Sequence, residues 1–510
     1  MTKQLFADRK PIRLGIWGLG RGSNFSRLCQ FLNIEIVAGC DYNDWMREKF
    51  LKNNPNAFVT ANDEEFLRQD FDVALVATFF PDHAQHSIRA LNAGKHVLCE
   101  VTSFFTPAQG VELIETVEKS GKIYNLLENY PYMAPNRNLR RLWREGFFGD
   151  FMYAEFDYNH DCRPLGWTYI DGVPVQPGYT VHNWRSVQAS HYYATHSLGP
   201  VMLITGLRPV QITAYMAEPH LPGLLKAAGL APSLIKMSNG GIVRNLVGGG
   251  TGDTHAKRIW GTLASCDATH KMEIRVGARG GGRRLAFDPV DSPEEEEVAK
   301  LARDAGHGGG DFWELYNFAR EFHGGQKADW DVYSAADVTL AGIMAVRSAE
   351  DNNATLEIPN FRDINARNKY RNDNRTQKRL FEPDEIFPEN LRETAKNFTQ
   401  LMCKFDKWGT GADNVVGTCL VRQALDGMKL FDFIQDDDKK KVIHDVKRLV
   451  DALPELAEAC KEAQELADKC KGTVPERAIR EFLEAAEAPR VLNTQAFVDE
   501  LNLWLKQHDN

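Results

Sequence analysis

The chain has no excess of basic residues, no long apolar run, no closely spaced cysteine motif and no internal repeat. Each absence excludes something. A formal charge of −9 over 510 residues leaves no basic surface to meet phosphates, so nucleic acid is not an expected partner. Lys439, Lys440 and Lys441 follow Asp436, Asp437 and Asp438, which reads as a solvated helix face rather than a basic patch. No run approaches the roughly 20 apolar residues of a membrane helix, and Met1 to Lys10 carries no apolar signal core. No membrane partner and a cytoplasmic location are therefore expected. The nine cysteines are scattered and odd in number, and Cys460 and Cys470 stand too far apart for a Cys-x-x-Cys knuckle. They read as reduced thiols, with no metal site.

What is present is the composition of a globular chain, with 43% apolar and 26% charged residues, long enough for two or three domains. Its most telling segment is Arg13-Leu14-Gly15-Ile16-Trp17-Gly18-Leu19-Gly20-Arg21-Gly22-Ser23, followed by a second apolar run that ends at Asp41. This reads as strand, glycine turn, helix, strand, acid. Gly18 permits the tight turn, Gly20 lets backbone approach a pyrophosphate, and the helix start beyond Arg21 and Gly22 offers free N–H groups. Asp41 lies about twenty positions after Gly20, where an acid binds the ribose hydroxyls of NAD and repels the extra phosphate of NADP. NAD is the expected cofactor. The third glycine of the fingerprint is off register, because Ser23 holds its place and Gly22 sits one earlier.

Residues 11 to 129 alternate apolar runs with helical stretches. Strands are expected at Ile34–Gly39, Val73–Thr78, His96–Glu100 and Ile123–Leu127, and helices at His83–Ala93 and Pro107–Ser120, stopped by Gly94 and Gly121. This predicts an α/β fold, a Rossmann-type doubly wound parallel sheet over residues 1–130. In such a sheet, ligands sit outside the carboxyl ends of the strands. That places Thr78 to His83, Glu100, Val101, Thr102, Glu128 and Asn129 near the cofactor; loop capping is the competing explanation for each.

Over 131–365 the pattern changes to an α+β domain with an open mixed or antiparallel sheet. A basic amphipathic helix spans Asn138–Glu145, and strands are expected at Phe151–Tyr158, Val210–Tyr215, Arg258–Thr262 and Lys271–Val276. Gly248–Gly250 and Gly280–Gly282 read as loops. Residues 366–510 form an all-helical C-terminal extension, with helices expected at Asn390–Phe405, Gly417–Gln435, Asp438–Ala452 and Glu455–Lys471.

Leu91-Asn92-Ala93-Gly94-Lys95-His96-Val97-Leu98-Cys99-Glu100 and Glu145-Gly146-Phe147-Phe148-Gly149-Asp150 resemble segments of the Gfo/Idh/MocA superfamily, the glucose–fructose oxidoreductases, inositol dehydrogenases and rhizopine-catabolism proteins. The resemblance spans about residues 10–360 and implies a Rossmann domain followed by an open-sheet domain that commonly mediates dimerisation, so a homo-oligomer, dimer or tetramer, is expected. Ordinary dehydrogenases of this superfamily follow the Glu with Lys-Pro and carry an Asp four residues before a second-domain His. Here Val101 and Thr102 follow Glu100, and Tyr192 stands before His196.

One branch shares these departures, the NAD-dependent glycoside hydrolases best known for acting on terminal α-N-acetylgalactosamine. Its Glu-Val, Glu-Asn, Tyr-x-His-Asp-x-Arg, Tyr-Pro-Thr-His and Gly-His-Gly-Gly-x-Asp motifs are similar to Glu100-Val101, Glu128-Asn129, Tyr158-Asn159-His160-Asp161-Cys162-Arg163, Tyr193-Ala194-Thr195-His196 and Gly306-His307-Gly308-Gly309-Gly310-Asp311, in the same order. A cofactor-loop histidine corresponds to His83. The chain departs at Ala194 for the Pro and at Pro131-Tyr132, so the sugar itself is not carried over.

In that branch NAD is held and not consumed: C3 of the sugar is oxidised, C2 is deprotonated, the C1 group leaves, water adds and the hydride returns. The resemblance implies His196 as the base at the C3 hydroxyl, Tyr193 or Tyr158 as the C2 base, His160 as a second acid/base, and Arg163 as substrate-binding. His307 is a backbone cap, a subsite or a lid. A lone His196 would more often be a satisfied core group; the shared motif favours catalysis. Two other readings stay open: a conventional NAD-dependent sugar or cyclitol dehydrogenase, and a non-catalytic NAD-binding regulatory protein whose helical tail serves partners.

Overall fold

A computed structural model describes residues 4–160, 188–217, 229–249, 255–276, 282–378, 418–472, 476, 479–480, 483–484 and 486–509. The expected helix at Asn390–Phe405, and Asp161, Cys162 and Arg163, lie outside the described residues.

Short apolar runs buried on both faces make the first sheet. Its strands are β1 (Ile12–Trp17), β2 (Ile34–Cys40), β3 (Phe58–Thr60), β4 (Val73–Val76), β5 (His96–Glu100) and β6 (Tyr124–Leu127). All pair in parallel, in the order β3-β2-β1-β4-β5-β6. This is the Rossmann order, and it brings the carboxyl ends of β1, β2, β4, β5 and β6 to one edge. Helices His83–Asn92 and Pro107–Ser120 are crossovers. The second starts at a capping box between Thr106 and Gln109 and stops at left-handed Gly121.

The second sheet is nine-stranded among the described residues: β7 (Phe151–His160), β8 (Pro209–Ala214), β9 (Ala231–Met237), β10 (Ile242–Gly249), β11 (Lys257–Gly261), β12 (Ala264–Asp267), β13 (Met272–Val276), β14 (Arg283–Phe287) and β15 (Leu356–Glu357). Its order is β14-β13-β12-β11-β7-β10-β9-β8-β15. It is mixed, because β7 runs parallel to β10 and antiparallel to β11. One face buries Ala154, Phe156, Ile235, Val243 and Ile259 against helices Ala194–Thr205 and Val332–Glu350; the other carries Leu234, Glu155, Arg244 and Arg258.

Three expectations change, and one long helix was not expected. The basic helix begins at Ala134, not Asn138, because Pro135 is at home in a first turn. Gly248 and Gly249 end β10 rather than forming a loop; a side chain at Gly248 would meet the Gly229 carbonyl at 2.3 Å. In the tail, Asp436–Lys469 is one helix that continues through Pro454. A proline removes one N–H and crowds one carbonyl, but buried Leu449, Leu453, Leu456 and Ala457 hold both sides of the break to one core. Helix Val332–Glu350, apolar almost all round, had no amphipathic stripe to announce it.

Candidate active site

The glycine turn folds as the β1 sequence requires. Gly18 has φ +94°, and a side chain there would lie 2.3 Å from the Ala77 carbonyl. Gly20 faces open space at the edge of a cavity of about 730 Å³ lined by Trp17, Gly18, Asp41, Thr78 and Arg89, among others. Such a glycine at a dinucleotide cavity fits the expected cofactor. The turn continues as a tight 3₁₀ segment, Arg21–Phe25, and this change of phase explains the shifted third glycine. Gly22 faces β1 there, where a side chain would come within 2.6 Å of the Ile16 methyl. Asp41 accepts the Leu19 N–H at 2.8 Å and the Asn43 N–H at 2.9 Å, so its carboxylate ties turn to strand and keeps lone pairs for ribose hydroxyls.

Several expected cofactor residues have structural work. Arg21 donates to Glu100 at 2.9 Å and grips Asp311 with two bonds of 2.8 and 3.0 Å, over the Phe25 ring. Burial acts to lower its pKa, but Glu100 and Asp311 outweigh it and the net shift is upward. His83 is buried, with Nδ1 2.9 Å from the Thr102 carbonyl and Nε2 3.2 Å from that of Thr78. It braces the two strand-end loops, and burial holds its pKa below the usual range. Thr78 also pairs with His86 at 2.8 Å. Val101 sits half-buried in the next loop, with a cis peptide to Thr102.

The carboxyl end of β6 reaches the second sheet. Gly310 allows the start of helix Gly310–Phe322 to dock on the Asn129 backbone, because a side chain there would stand 2.4 Å from the Asn129 carbonyl. Asp311 thereby receives Asn129 at 3.0 Å and His307 Nδ1 at 3.0 Å as well as Arg21. Burial works to raise its pKa, but the His307 and Arg21 bonds prevail and hold it well below the carboxylate range. Glu314, one turn on, is buried; both its oxygens lack a hydrogen-bond partner among the described residues. Burial, then Asp311 and Glu100, push its pKa far up.

Beside this network, Glu128 is fully buried with both oxygens 2.9 Å from His196 Nδ1. The carboxylate accepts the Nδ1 proton and leaves Nε2 as the basic nitrogen. Around that imidazole stand Tyr130, stacked at 4.6 Å, Tyr158, edge-on at 4.7 Å, and Tyr193 at 5.6 Å between ring centroids. His160 lies 5.9 Å from Tyr158, on the same strand face. His307 is 6.1 Å from Tyr130. Tyr193 caps helix Ala194–Thr205 after a 3₁₀ turn rather than lying inside it. Tyr192 packs on Phe80 and Phe105, away from the cluster.

Sequence reasoning missed Tyr130 and His255, whose ring lies 5.6 Å from both Tyr130 and Tyr158. Tyr130 adjoins the Glu-Asn step and could have been found there. His255 has no motif around it. No group of metal-ligating side chains occurs among the described residues.

The cluster lies where the Rossmann edge meets the second sheet. Residues 12–127 match the family model "Oxidoreductase family, NAD-binding Rossmann fold", and residues 286–368 match "Glycosyl hydrolase 109, C-terminal domain". The chain is similar to a glycosyl hydrolase family 109 protein of Shewanella baltica, at 24% identity over 69% of this chain and 85% of the relative, and to one of Shewanella putrefaciens at the same values. Its fold matches an oxidoreductase domain protein from Kribbella flavida (TM-score 0.58, 16% identity, 69% of this chain and 100% of that one). It also matches an inositol dehydrogenase homolog from Azotobacter vinelandii, solved with NAD⁺ (TM-score 0.55, 18% identity, 70% and 99%). The class these findings define is an NAD-dependent enzyme whose Rossmann domain is similar to those of the Gfo/Idh/MocA oxidoreductases. Its residues 286–368 are similar to the C-terminal domain of glycosyl hydrolase 109 proteins.

Proposed function

We propose that the protein is an NAD-dependent glycoside hydrolase that works by transient oxidation at C3 of a sugar. The Glu128–His196 pair inside a ring of tyrosines is the observation that carries this reading. Bound NAD supplies a hydride acceptor that later returns the same hydride, and Gly18, Gly20 and Asp41 are the residues proposed to hold it. His196 Nε2 takes the C3 hydroxyl proton, oriented by Glu128. The C3 ketone so formed on the sugar acidifies C2–H, and the phenolate of Tyr158 or Tyr193 removes that proton. His160 protonates the departing C1 oxygen and deprotonates the entering water. His307, fixed by Asp311, binds substrate, as does Arg163. No carboxylate pair of an ordinary glycosidase is needed.

The sugar is a small-molecule partner, and homodimerisation uses the open sheet face around exposed Leu234. No helix among the described residues is long and apolar enough to cross a membrane. With burial pushing Cys29, Cys40 and Cys99 up to about 12, the thiols suit a reducing cytoplasm. Three units are proposed, 1–130, 131–365 and 366–510, with the first residues of the third, through Gln377, strapped to the body of the first two.

The test is hydrolysis of p-nitrophenyl glycosides in deuterium oxide. Release without net NADH and with deuterium at product C2 is expected. Stoichiometric NADH with C2 hydrogen retained would instead make the protein a conventional sugar dehydrogenase.

A further inference from the structure

Lys257 opens β11 in register with Phe156 of β7, so its side chain stands on the sheet face that carries Phe156 and Tyr158. His255, two residues earlier, joins the same ring cluster. The Lys257 ammonium has no carboxylate partner among the described residues; its polar neighbour is the Met133 thioether, 3.8 Å away. Met133 packs on the Tyr130–Tyr158 cluster and lies 3.4 Å from where a Gly308 side chain would begin, beside His307. Lys257 therefore stands at the edge of the proposed sugar site. Burial pushes it down to about 8, which leaves it mainly charged at neutral pH.

An ammonium half out of water and away from any carboxylate is costly to keep. The cluster's own carboxylates are engaged elsewhere, Asp311 by Arg21, Asn129 and His307, and Glu128 by His196. We infer that Lys257 is a specificity residue that receives an oxyanion carried by the sugar, so that the substrate is an acidic glycoside. The inference rests on the glycosidase reading and names its substrate class. Carboxylate, as in a uronoside, and sulfate ester share the required chemistry, and Met133 and Gly308 leave the ammonium an apolar surround in which such a pair is strong.

The full chain loaded with NADH is titrated with D-glucuronate, D-galacturonate and galactose 6-sulfate, each against its uncharged parent, by nicotinamide fluorescence. At least one charged sugar is expected to bind about 10- to 100-fold more tightly than its parent, the range of a charged hydrogen bond. The uronates and the sulfate separate the two oxyanions. K257M abolishes the preference and K257R retains it, with unchanged melting; K257Q serves if K257M does not fold. No preference in the wild type, or a preference that survives K257M or K257Q, overturns the inference. Hydrolysis of p-nitrophenyl glycosides is followed separately. Charge preference without any hydrolysis refutes the glycosidase reading and leaves the anion site standing; hydrolysis without preference does the reverse.

Discussion

Two buried carboxyls a few residues from the same ring cluster behave oppositely, and each makes a prediction. Glu128 is paired with His196 through both oxygens. E128Q keeps size, shape and one acceptor oxygen for the Nδ1–H, but removes the negative charge that stabilises the imidazolium formed when Nε2 takes a proton and places an NH₂ group where the second acceptor stood. Turnover is expected to fall about 10²- to 10⁴-fold, as for orienting carboxylates in general, with bound NAD and melting temperature little changed. Loss of NAD in proportion to activity would refute an orienting role. Glu314 has no such partner among the described residues, and burial with Asp311 and Glu100 raises its pKa well above 4.5. It is neutral in the folded chain and ionised in the unfolded chain once pH passes the ordinary value. The unfolded state then binds fewer protons, so this group subtracts stability as pH rises from about 4.5 toward its raised pKa, by up to about 1.4 kcal/mol per pH unit. E314Q removes that slope. Melting curves from pH 4.5 to 7 should show the variant gaining on the wild type as pH rises; a constant difference would mean that Glu314 is ionised in place.

The glycine turn separates fold from ligand at the scale of an element. G18A puts an L-residue into the left-handed region at φ +94° and drives a methyl into the Ala77 carbonyl, which is backbone and cannot yield. It should cost about 2 kcal/mol or more. G22A meets only the movable Ile16 methyl, and should cost less. G20A meets nothing, so melting without cofactor should match the wild type while NAD binding weakens at least about tenfold as the methyl enters the pyrophosphate path. Calorimetry with and without NAD checks all three, and a G20A protein that binds NAD normally would move the pyrophosphate elsewhere. This turn was legible because strand, glycine and acid are local in sequence. So were β4, β5 and β6, as apolar runs bounded by turns, and the shared faces of Tyr158 with His160. What was illegible is long-range. Helix Val332–Glu350 is buried on all sides and has no stripe, and β9 and β10 are recognised only by pairing with each other and with β7. Arg21 read as a cofactor residue of the glycine turn, because its partner Asp311 lies 290 positions away. His255 reaches Tyr130 only once β11 is laid against β7.

Across the whole molecule, the described residues form two large apolar cores that share no member. One joins both sheets, from Ile12 to Phe361; the other, from Leu420 to Leu501, belongs to the helical tail. The sheets share a core because helix Val332–Glu350 packs against β6 and helix Pro107–Ser120 on one side and β8 on the other. The chain just after that helix belongs to the first core and not to the tail. Arg367 is buried and grips Glu118 at 2.8 and 3.0 Å, Arg347 grips Asp373 at 2.6 and 2.7 Å, and Gln377 accepts the Ala189 N–H at 3.0 Å. That last bond anchors the segment leading into the Tyr193 turn, so a cut at 365 should loosen the candidate site while a cut after Lys378 should spare it. A chain of residues 1–378 is expected to keep NAD binding, glycoside turnover within about twofold and the main melting transition, because its core and polar straps are intact. A chain of residues 1–365 loses three straps from the body that carries His196, and should melt several degrees lower with weaker turnover, as a few kcal/mol predicts for a body of this size. Equal behaviour of the two truncations would show that the straps carry no stability, and collapse of both would show that the tail completes the first core.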